Sequence, residues 1–488
     1  MGRAFVYVIL GGGVAAGYAA LEFVRRNGDS RDKLCIISDE QARSLLLLCL
    51  LSFNSCSVAP YERPALSKGF LLPQGAPRLP EFHTCVGAND ELLTKEWYSK
   101  HGIVLVLGTR VTSADVRRKT ISYKTLIVAT GARALKLEEF GVSGSDVRNV
   151  CYLRNLGDAD KLVDVMGSCP GGKAVVVGGG YIGMECAAAL VTNKINVTMV
   201  FPGKHCMNRI FTPKIAEFYE RYYTSKGVIF VKEASVTSME VSAGKVTAVM
   251  LGDGRRLTAD MVVVGVGARA NTGLFEGQLV MEKGGIKVNG QMQASDASVY
   301  AVGDVAAFPV KLFGGDVRRL EHVDCARRTA RHAVAAILDA TGSVGDIDYL
   351  PFFYSRLFSL SWQLYGDNAG EAVHFGDLAP GDGATPKFGA YWVREGRIAG
   401  AFIEGGSRQE NESIAATVRH GAAVPDVPEL RRRGLAFATQ ATGNTKLAAG
   451  DKPTCGWHAT VVVAAAVSIA VFACWFGWMA PYVLKRDL

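Results

Sequence analysis

Short apolar runs and longer helical segments alternate along the first half of the chain. The short runs have the composition of strands buried on both faces of a sheet. The predicted order of strand, helix and strand occurs twice, at residues 6–10, 17–26 and 34–37 and again at 174–177, 186–192 and 196–200. Two such units predict an α/β chain with two Rossmann-like dinucleotide-binding domains, each built on a parallel sheet.

The end of the chain has a different pattern. Residues 460–484 contain no charged side chain, and Lys485 and Arg486 follow them. At ~1.5 Å per residue, a helix of this length exceeds the ~30 Å core of a bilayer. The pattern predicts a C-terminal transmembrane helix over 457–484 that acts as a tail anchor, with a linker over 438–456. A buried hairpin or core helix is the less favoured alternative, since the run follows a polar linker.

Composition and charge narrow the function. The chain has 54 Lys and Arg against 46 Asp and Glu, a net charge of +8. These charges are spread along the chain apart from short clusters such as 431–433, so we expect no nucleic-acid partner. The 11 cysteines include no Cys-x-x-Cys pair. We therefore expect a reducing compartment, no metal site and no dithiol relay, although Cys49 and Cys56 lie closest to each other.

The first glycine cluster follows a predicted strand and opens a predicted helix. Gly11 is suited to the tight turn and Gly13 to the close approach of a pyrophosphate, while Ala16 or Gly17 permits close helix packing. Glu40 stands at the end of the next strand, where a carboxylate holds an adenosine ribose. Asp39 is the alternative.

A second cluster over 178–185 also lies between a strand and a helix. At the end of its second strand the sequence has Gly203 where a ribose-binding acid is expected. The choice between NADH and NADPH therefore stays open, and Lys204 and Arg209 are compatible with a 2′-phosphate. A further strand ends at Asp304, whose carboxylate is suited to the ribityl and diphosphate region of FAD.

Three more segments carry a resemblance to a known family. Residues 59–68 read Ala-Pro-Tyr-Glu-Arg-Pro-Ala-Leu-Ser-Lys, residues 319–324 Arg-Leu-Glu-His-Val-Asp, and residues 349–356 Tyr-Leu-Pro-Phe-Phe-Tyr-Ser-Arg. With the two cradles, they resemble the plant monodehydroascorbate reductases, which are FAD-dependent pyridine-nucleotide oxidoreductases, over about residues 5–438. The apolar tail is similar to that of the membrane-bound peroxisomal members. Ferredoxin reductases share Pro-Tyr-x-Arg-Pro but usually have Trp where Tyr354 stands.

The resemblance implies a reaction and its cofactors. NADH, or NADPH, would reduce FAD, which would then reduce two monodehydroascorbate radicals to ascorbate. An NAD(P)H-dependent ferredoxin or quinone reductase is the alternative enzyme. A membrane-tethered redox-sensing flavoprotein, similar to apoptosis-inducing factors, is the alternative from another class. The family also implies a peroxisomal membrane, with the endoplasmic reticulum as the alternative.

The resemblance also implies roles for individual residues. Lys68 near flavin N5, with Glu185 as its ion-pair partner, and Tyr354 against the flavin would be the catalytic residues, and Arg327 and Arg356 would bind the substrate. The implied FAD contacts are Gly11, Gly12, Gly13, Val14, Ala15, Glu40, Arg63, Lys68, Val111, Arg154, Asp304, Val323 and Tyr354. The implied NAD(P) contacts are Gly179, Gly180, Tyr181, Ile182, Gly183, Met184, Glu185, Gly203, Arg209, Gly267, Glu321 and His322.

The chain departs from the family in two places. Residues 41–57, with a run of seven apolar residues at 45–51, intervene where family members pass almost directly to the segment that begins at residue 58. Around 118–122 the chain is shorter than the family. The insertion has three interpretations: a surface loop, a loop that dips into the membrane, or a retained intron or gene-model error. We favour the last, because it explains both the composition and the clean junctions of the segment. An exposed leucine run would also be an aggregation hazard.

These inferences predict a division into domains. The FAD domain would comprise 1–155 and 275–345, with 41–57 as a non-family insertion, and the NAD(P) domain 156–274. A smaller α+β domain over 346–437 would complete the soluble part of the chain.

Overall fold

The computed structural model describes residues 4–27, 32–40, 58–73, 83–116, 123–379 and 385–444. The helices within these ranges are α1 (Val14–Asn27), α2 (Lys95–Lys100), α3 (Leu156–Gly167), α4 (Tyr181–Thr192), α5 (Pro213–Ser225), α6 (Val323–Leu338), α7 (Arg408–Arg419), α8 (Val427–Arg433) and α9 (Leu435–Asn444). The strands are β1 (Phe5–Leu10), β2 (Leu34–Ile37), β3 (Val104–Val106), β4 (Tyr123–Val128), β5 (Ala132–Ala134), β6 (Val150–Tyr152), β7 (Lys173–Val177), β8 (Asn196–Phe201), β9 (Ile229–Lys232), β10 (Val236–Ser242), β11 (Lys245–Leu251), β12 (Arg256–Thr258), β13 (Met261–Val264), β14 (Ala268–Ala270), β15 (Met281–Glu282), β16 (Gly285–Lys287), β17 (Val299–Ala301), β18 (Ala306–Pro309), β19 (Val317–Arg318), β20 (Phe352–Leu357), β21 (Leu360–Gly366), β22 (Glu371–Gly376), β23 (Phe388–Arg394) and β24 (Arg397–Glu404).

The first domain is built on a parallel sheet in the order β17-β4-β1-β2-β3. Its strands are apolar because helices cover the sheet. Ile9, Ile36 and Ile127 are completely buried in a core that also includes residues of α1 and α6. Strands β1 and β2 are joined through α1, which matches the predicted strand, helix and strand.

The second domain repeats this architecture with a parallel sheet in the order β6-β13-β7-β8-β9. Helix α4 connects β7 to β8, as the second predicted unit requires. Strand β6 pairs with β13 in this sheet, although the predicted boundary at residue 155 assigns it to the first domain. The apolar run of β6 is only three residues long and is too short to be assigned to either sheet from its sequence.

The C-terminal domain is an antiparallel sheet in the order β20-β21-β24-β23-β22, against which α7, α8 and α9 pack. Helix α9 continues to Asn444, and Ala438 is fully buried in the core of this domain. The predicted linker therefore does not begin at residue 438. The described part of the chain is thus an α/β protein with two nucleotide-type domains and a smaller α+β domain.

The predicted transmembrane segment, the insertion 41–57 and the short segment 118–122 lie outside the described residues. Within the ranges given above, no helix is both long and apolar enough to cross a bilayer.

Candidate functional site

A deep cleft lies at the junction of the three domains. The cleft, together with the open space at its mouth, contains about 1080 Å³. The N-terminal ends of α1, α4 and α6 all border it, and helix N-termini favour anions such as phosphates. The lining residues include Gly13, Val14, Ala15, Arg63, Ser67, Lys68, Arg154, Tyr181, Ile182, Glu185, Asp304, Glu321, His322, Val323, Phe353 and Tyr354.

The first glycine cluster forms the turn between β1 and α1. Gly11 has φ +133°, and a Cβ there would lie 2.1 Å from the carbonyl oxygen of Ala129, so only glycine fits. At Gly13 a Cβ would meet only the Arg63 guanidinium at 3.5 Å, on the side of the cleft. Gly17 packs against the Cys85 sulfur, 2.5 Å from a Cβ at that position, and not against the sheet. The predicted close helix packing therefore involves a neighbouring loop.

Glu40 and Arg63, both predicted to bind FAD, form an ion pair at one end of the cleft. The other carboxylate oxygen of Glu40 accepts a 3.0 Å hydrogen bond from the Tyr61 hydroxyl. Arg63 also donates to the carbonyl of Arg154 at 2.8 Å. Burial favours loss of the Arg63 proton, but Tyr61 and Glu40 outweigh it, and the pKa of Arg63 stays above its ordinary value. Arg63 therefore keeps its charge.

Arg154 and Asp304 form a second ion pair across the cleft, with 2.6 Å between Nη2 and Oδ2. The Nε of Arg154 is buried and has no partner among the described residues. A buried guanidinium N–H without an acceptor fits a site that binds an anion or a polar ligand. Together with the Gly13 turn and the α1 N-terminus, the guanidinium groups of Arg63 and Arg154 fit the diphosphate of FAD.

The second glycine cluster repeats the geometry of the first. Gly178 has φ +114°, and a Cβ there would lie 2.3 Å from the Gly265 carbonyl oxygen. At Gly183 a Cβ would lie 2.2 Å from the Gly178 carbonyl oxygen, so helix α4 packs closely on the strand. Gly180 is the N-cap of α4 with φ −81°, and a Cβ there would meet no atom within 4 Å. The space in front of Gly180 fits a nucleotide diphosphate.

The structure turns the side chain of Met184 away from the nucleotide that it was predicted to contact, whereas the contact of Arg209 stays a prediction. Met184 is fully buried, and its carbonyl accepts a 3.0 Å hydrogen bond from the Tyr223 hydroxyl. Its side chain packs in the core because it lies on the face of α4 turned away from the cleft. Arg209 is exposed, and its carbonyl accepts a 2.7 Å hydrogen bond from Asn368.

Lys68 and Glu185 form the predicted ion pair, with 2.8 Å between Nζ and Oε1. The side chain of Glu185 is only 3% exposed, whereas that of Lys68 is 25% exposed and borders the cleft. Two serine hydroxyls, from Ser67 and Ser355, donate hydrogen bonds to the two oxygens of Glu185. Sequence reasoning missed both serines, although each stands beside a predicted site residue.

Aromatic rings form the wall of the cleft next to α4. His322 stacks on Phe353 with 4.0 Å between ring centroids and 10° between planes. Tyr181 meets Phe353 edge-on at 5.1 Å. Burial lowers the pKa of His322 to about 4, and its Nδ1 has no partner among the described residues. A neutral imidazole stacked on a phenyl ring, with a free ring nitrogen, fits an uncharged aromatic ligand such as nicotinamide.

Arg327, predicted to bind the substrate, pairs with Glu62. The other oxygen of Glu62 accepts a 2.8 Å hydrogen bond from the Tyr18 hydroxyl, and the guanidinium lies 5.2 Å above the Tyr18 ring. Burial opposes its charge, but Glu62 and Tyr18 hold the pKa of Arg327 above its ordinary value. Arg327 is thus a fixed cation with a carboxylate partner that the sequence did not predict.

Tyr354 lies on β20 at the cleft, stacked against Phe352 with 5.5 Å between centroids. Burial raises the pKa of its hydroxyl, so the phenol stays protonated at physiological pH. Arg356 is on the same strand but is exposed. It does not line the cleft.

The structure brings together just over half of the predicted site residues. The predicted residues outside the cleft lining are Gly11, Gly12, Glu40, Val111, Gly179, Gly180, Gly183, Met184, Gly203, Arg209, Gly267, Arg327 and Arg356. Several of these residues lie directly behind the lining. Gly12, for example, packs against the Ser38 side chain. Functional side chains that the sequence did not single out are Glu62, Ser67, Phe353 and Ser355. The clue for each was its position next to a motif residue.

The described part of the chain was also expected to lack a dithiol relay and a metal site. The cysteines in the described ranges form no disulfide with one another, and none of them lines the cleft. In the same part of the chain, no group of three or more His, Cys, Asp or Glu is placed to hold a metal ion. Cys49 and Cys56 lie outside the described residues.

The N-terminal ends of α1 and α4, each preceded by a glycine cluster, border one cleft, the arrangement of an oxidoreductase that brings a pyridine nucleotide to a flavin. Residues 5–330 match the pyridine nucleotide-disulphide oxidoreductase family, and residues 350–438 match the monodehydroascorbate reductase 3-like C-terminal domain. A similar solved structure is putidaredoxin reductase in its covalent complex with putidaredoxin, with a TM-score of 0.75 and 26% identity over 90% of this chain and 99% of that one.

Curated relatives are more similar in sequence. The chain is 80% identical to monodehydroascorbate reductase 1, peroxisomal, of Oryza sativa subsp. japonica, in an alignment 499 residues long that covers 100% of both chains. It is 49% identical to monodehydroascorbate reductase of Pisum sativum, over 90% of this chain and 100% of that one. The chain therefore belongs to the monodehydroascorbate reductases, within the pyridine nucleotide-disulphide oxidoreductases.

Proposed function

We propose that the protein reduces the monodehydroascorbate radical to ascorbate with electrons from NADH or NADPH, through bound FAD. The observation that carries the proposal is one cleft bordered by the N-terminal ends of both α1 and α4, with Tyr354 of the C-terminal domain in its lining. Arg327 lies on α6, whose N-terminal end borders the same cleft. The substrate is inferred from the names of the relatives. The charged and aromatic side chains at the cleft are compatible with it.

The residues at the first cradle would hold FAD. The Gly13 turn and the α1 N-terminus would bind the diphosphate, with Arg63 and Arg154 adding positive charge. Glu40 and Asp304 would accept hydrogen bonds from ribose and ribityl hydroxyls. On binding of FAD, each carboxylate would give up its ion pair with arginine for these hydrogen bonds. When bound, FAD supplies a group that accepts a hydride and passes on single electrons.

The residues on the α4 side would hold the nicotinamide nucleotide. Gly180 leaves room for the diphosphate at the N-terminus of α4. Tyr181, His322 and Phe353 would surround the nicotinamide ring and keep water away from it. Lys68, fixed by Glu185, would present a positive charge to the cleft.

The residues on the β20 side would bind the radical. Arg327 provides a fixed positive charge for the anionic radical, and Tyr354 supplies an aromatic contact at the cleft. Arg356 would act from the exposed end of β20, at the entrance. The hydroxyl of Tyr354, kept protonated by burial, can donate a hydrogen bond to the substrate.

The proposal is tested by the choice of electron acceptor. Purified holoenzyme is given NADH or NADPH together with monodehydroascorbate generated by ascorbate oxidase, a ferredoxin or a quinone, at matched concentrations. We expect the radical to give the highest kcat/KM. A higher value for the ferredoxin would favour the second candidate, which the fold similarity to putidaredoxin reductase supports.

The location is a further part of the proposal. The relatives that are 80% and 67% identical carry the description peroxisomal, and the apolar run 460–484 has the length and composition of a membrane span. The protein would therefore be anchored by this tail in the peroxisomal membrane.

Removal of the tail tests this location. A fluorescent fusion of the full chain is expected to coincide with a peroxisomal membrane marker, whereas a fusion that ends at Asn444 should become diffuse. The truncation is placed after α9 because Ala438 belongs to the core of the C-terminal domain. Retention of the truncated fusion at the membrane, or location of the full chain in the endoplasmic reticulum, would contradict the proposal.

A further inference from the structure

Three separate parts of the chain meet at the carboxylate of Glu185. Ser67 comes from segment 58–73 of the predicted FAD domain, Glu185 from α4 of the second domain, and Ser355 from β20 of the C-terminal domain. Ser355 donates to Oε1 of Glu185 and Ser67 to Oε2. Lys68 contacts Oε1 at 2.8 Å. Each domain thus supplies one part of a single polar cluster.

Three members of the cluster, Ser67, Lys68 and Glu185, border the cleft. Ser67 is only 3% exposed and Ser355 is completely buried, whereas the side chain of Lys68 is 25% exposed. An ionised carboxylate in such a place is stable only when its oxygens receive hydrogen bonds or a counter-ion. The two serines supply these hydrogen bonds from opposite sides. Lys68 therefore faces a carboxylate whose orientation is already fixed.

Strand β20 links this cluster to the other wall of the cleft. Successive side chains of a strand point to opposite faces. Ser355 points to Glu185, and its neighbour Tyr354 stacks on Phe352 at the cleft. Any shift of β20 therefore moves the hydrogen bond to Glu185 and the ring of Tyr354 together.

We propose that Ser67 and Ser355 are positioning residues that act through Glu185 to hold the Lys68 ammonium at the cleft. Their hydroxyls keep the buried carboxylate oriented, and the carboxylate keeps Lys68 in place for the reduction of FAD. The inference rests on the proposed function only in placing FAD in this cleft, and it does not depend on the identity of the electron acceptor.

A double-mutant cycle tests the inference on the holoenzyme. Four proteins are compared: wild type, Ser355→Ala, Glu185→Gln and the double variant. Two quantities are measured, the rate constant for reduction of the flavin by NADH and the midpoint potential of the flavin by equilibration with reference dyes. We expect Ser355→Ala to lower the rate constant about tenfold in the wild type and less than twofold in the Glu185→Gln background. Ser355→Ala should shift the midpoint potential of the flavin only in the wild-type background, where Glu185 is present.

The opposite result is equally clear. If Ser355 contributes only to packing, its loss should change the rate constant by the same factor in both backgrounds. The midpoint potential should likewise shift by the same amount in both. This result would overturn the inference. Ser67→Ala allows a second, independent double-mutant cycle, because Ser67 donates to the other oxygen of Glu185. The inference can therefore be tested even if one serine variant folds poorly. Failure of the proposed function would instead appear as poor radical reduction with the coupling intact.

Ser145→Ala is the matched control. Ser145 is also a buried serine, 1% exposed, and its hydroxyl donates to the Val142 carbonyl at 3.2 Å, away from the cleft lining. We expect no change in the rate constant or the potential in either background. A tenfold loss in this control would show that any missing serine hydroxyl has the same effect, and would also overturn the inference.

Discussion

Substitution of Gly180 by valine is expected to slow reduction of the flavin by NADH at least tenfold, with FAD still bound. A side chain at this position meets no protein atom within 4 Å, and φ is −81°, so the fold tolerates it. The valine methyl groups would fill the space that the nucleotide diphosphate needs at the N-terminus of α4. A loss of ~1.4 kcal/mol of binding already corresponds to tenfold.

The measurement is stopped-flow reduction of the variant over a range of NADH concentrations, with the FAD content read from the visible spectrum. Gly167→Val is the control, because Gly167 also has no atom near its missing Cβ but lies at the end of α3, outside the cleft lining. Wild-type kinetics in Gly180→Val would contradict the assignment of the second cradle to the pyridine nucleotide.

Substitution of Tyr354 by alanine is expected to separate the two halves of the reaction. Oxidation of the reduced enzyme by the radical should slow about tenfold, an increase of ~1.4 kcal/mol in the barrier, while reduction by NADH should change less than twofold. The reason is position: Tyr354 lies on the Arg327 side of the cleft, and Phe353, on the opposite face of β20, stacks on His322 on the nicotinamide side.

Each half-reaction is followed separately by stopped-flow absorbance of the flavin. Tyr354→Phe retains the ring and is the matched control; if the aromatic contact matters, it should keep most of the wild-type rate with the radical. Equal losses in both half-reactions of Tyr354→Ala would argue against the proposed contact.

The two cradles could be predicted from sequence because their requirements are local. Gly11 and Gly178 adopt positive φ values next to a neighbouring strand, and such turns leave a glycine pattern directly in the sequence. The Lys68 and Glu185 ion pair was predicted only through the family resemblance, since the residues lie more than a hundred positions apart. The structure places them in contact.

The remaining contacts depend on tertiary packing that the sequence does not display. The pairing of Glu62 with Arg327 and the meeting of Ser67 with Ser355 each join distant segments. Met184 follows the predicted nucleotide-binding turn in sequence, yet the 3.6-residue period of α4 turns its side chain into the core. The C-terminal linker was placed too early because alanine-rich and threonine-rich sequence also forms the end of α9.

The central claim is that the reduced enzyme passes its electrons to the monodehydroascorbate radical. The most direct measurement reduces the holoenzyme anaerobically with one equivalent of NADH and then mixes it, in a stopped-flow instrument, with one of two solutions. The first is air-saturated buffer with ascorbate and ascorbate oxidase, which uses the oxygen to form the radical, and the second is air-saturated buffer alone. We expect the radical to reoxidise the flavin far faster than oxygen does, with two radicals consumed for each NADH. Reoxidation by the radical that is no faster than by oxygen would contradict the account.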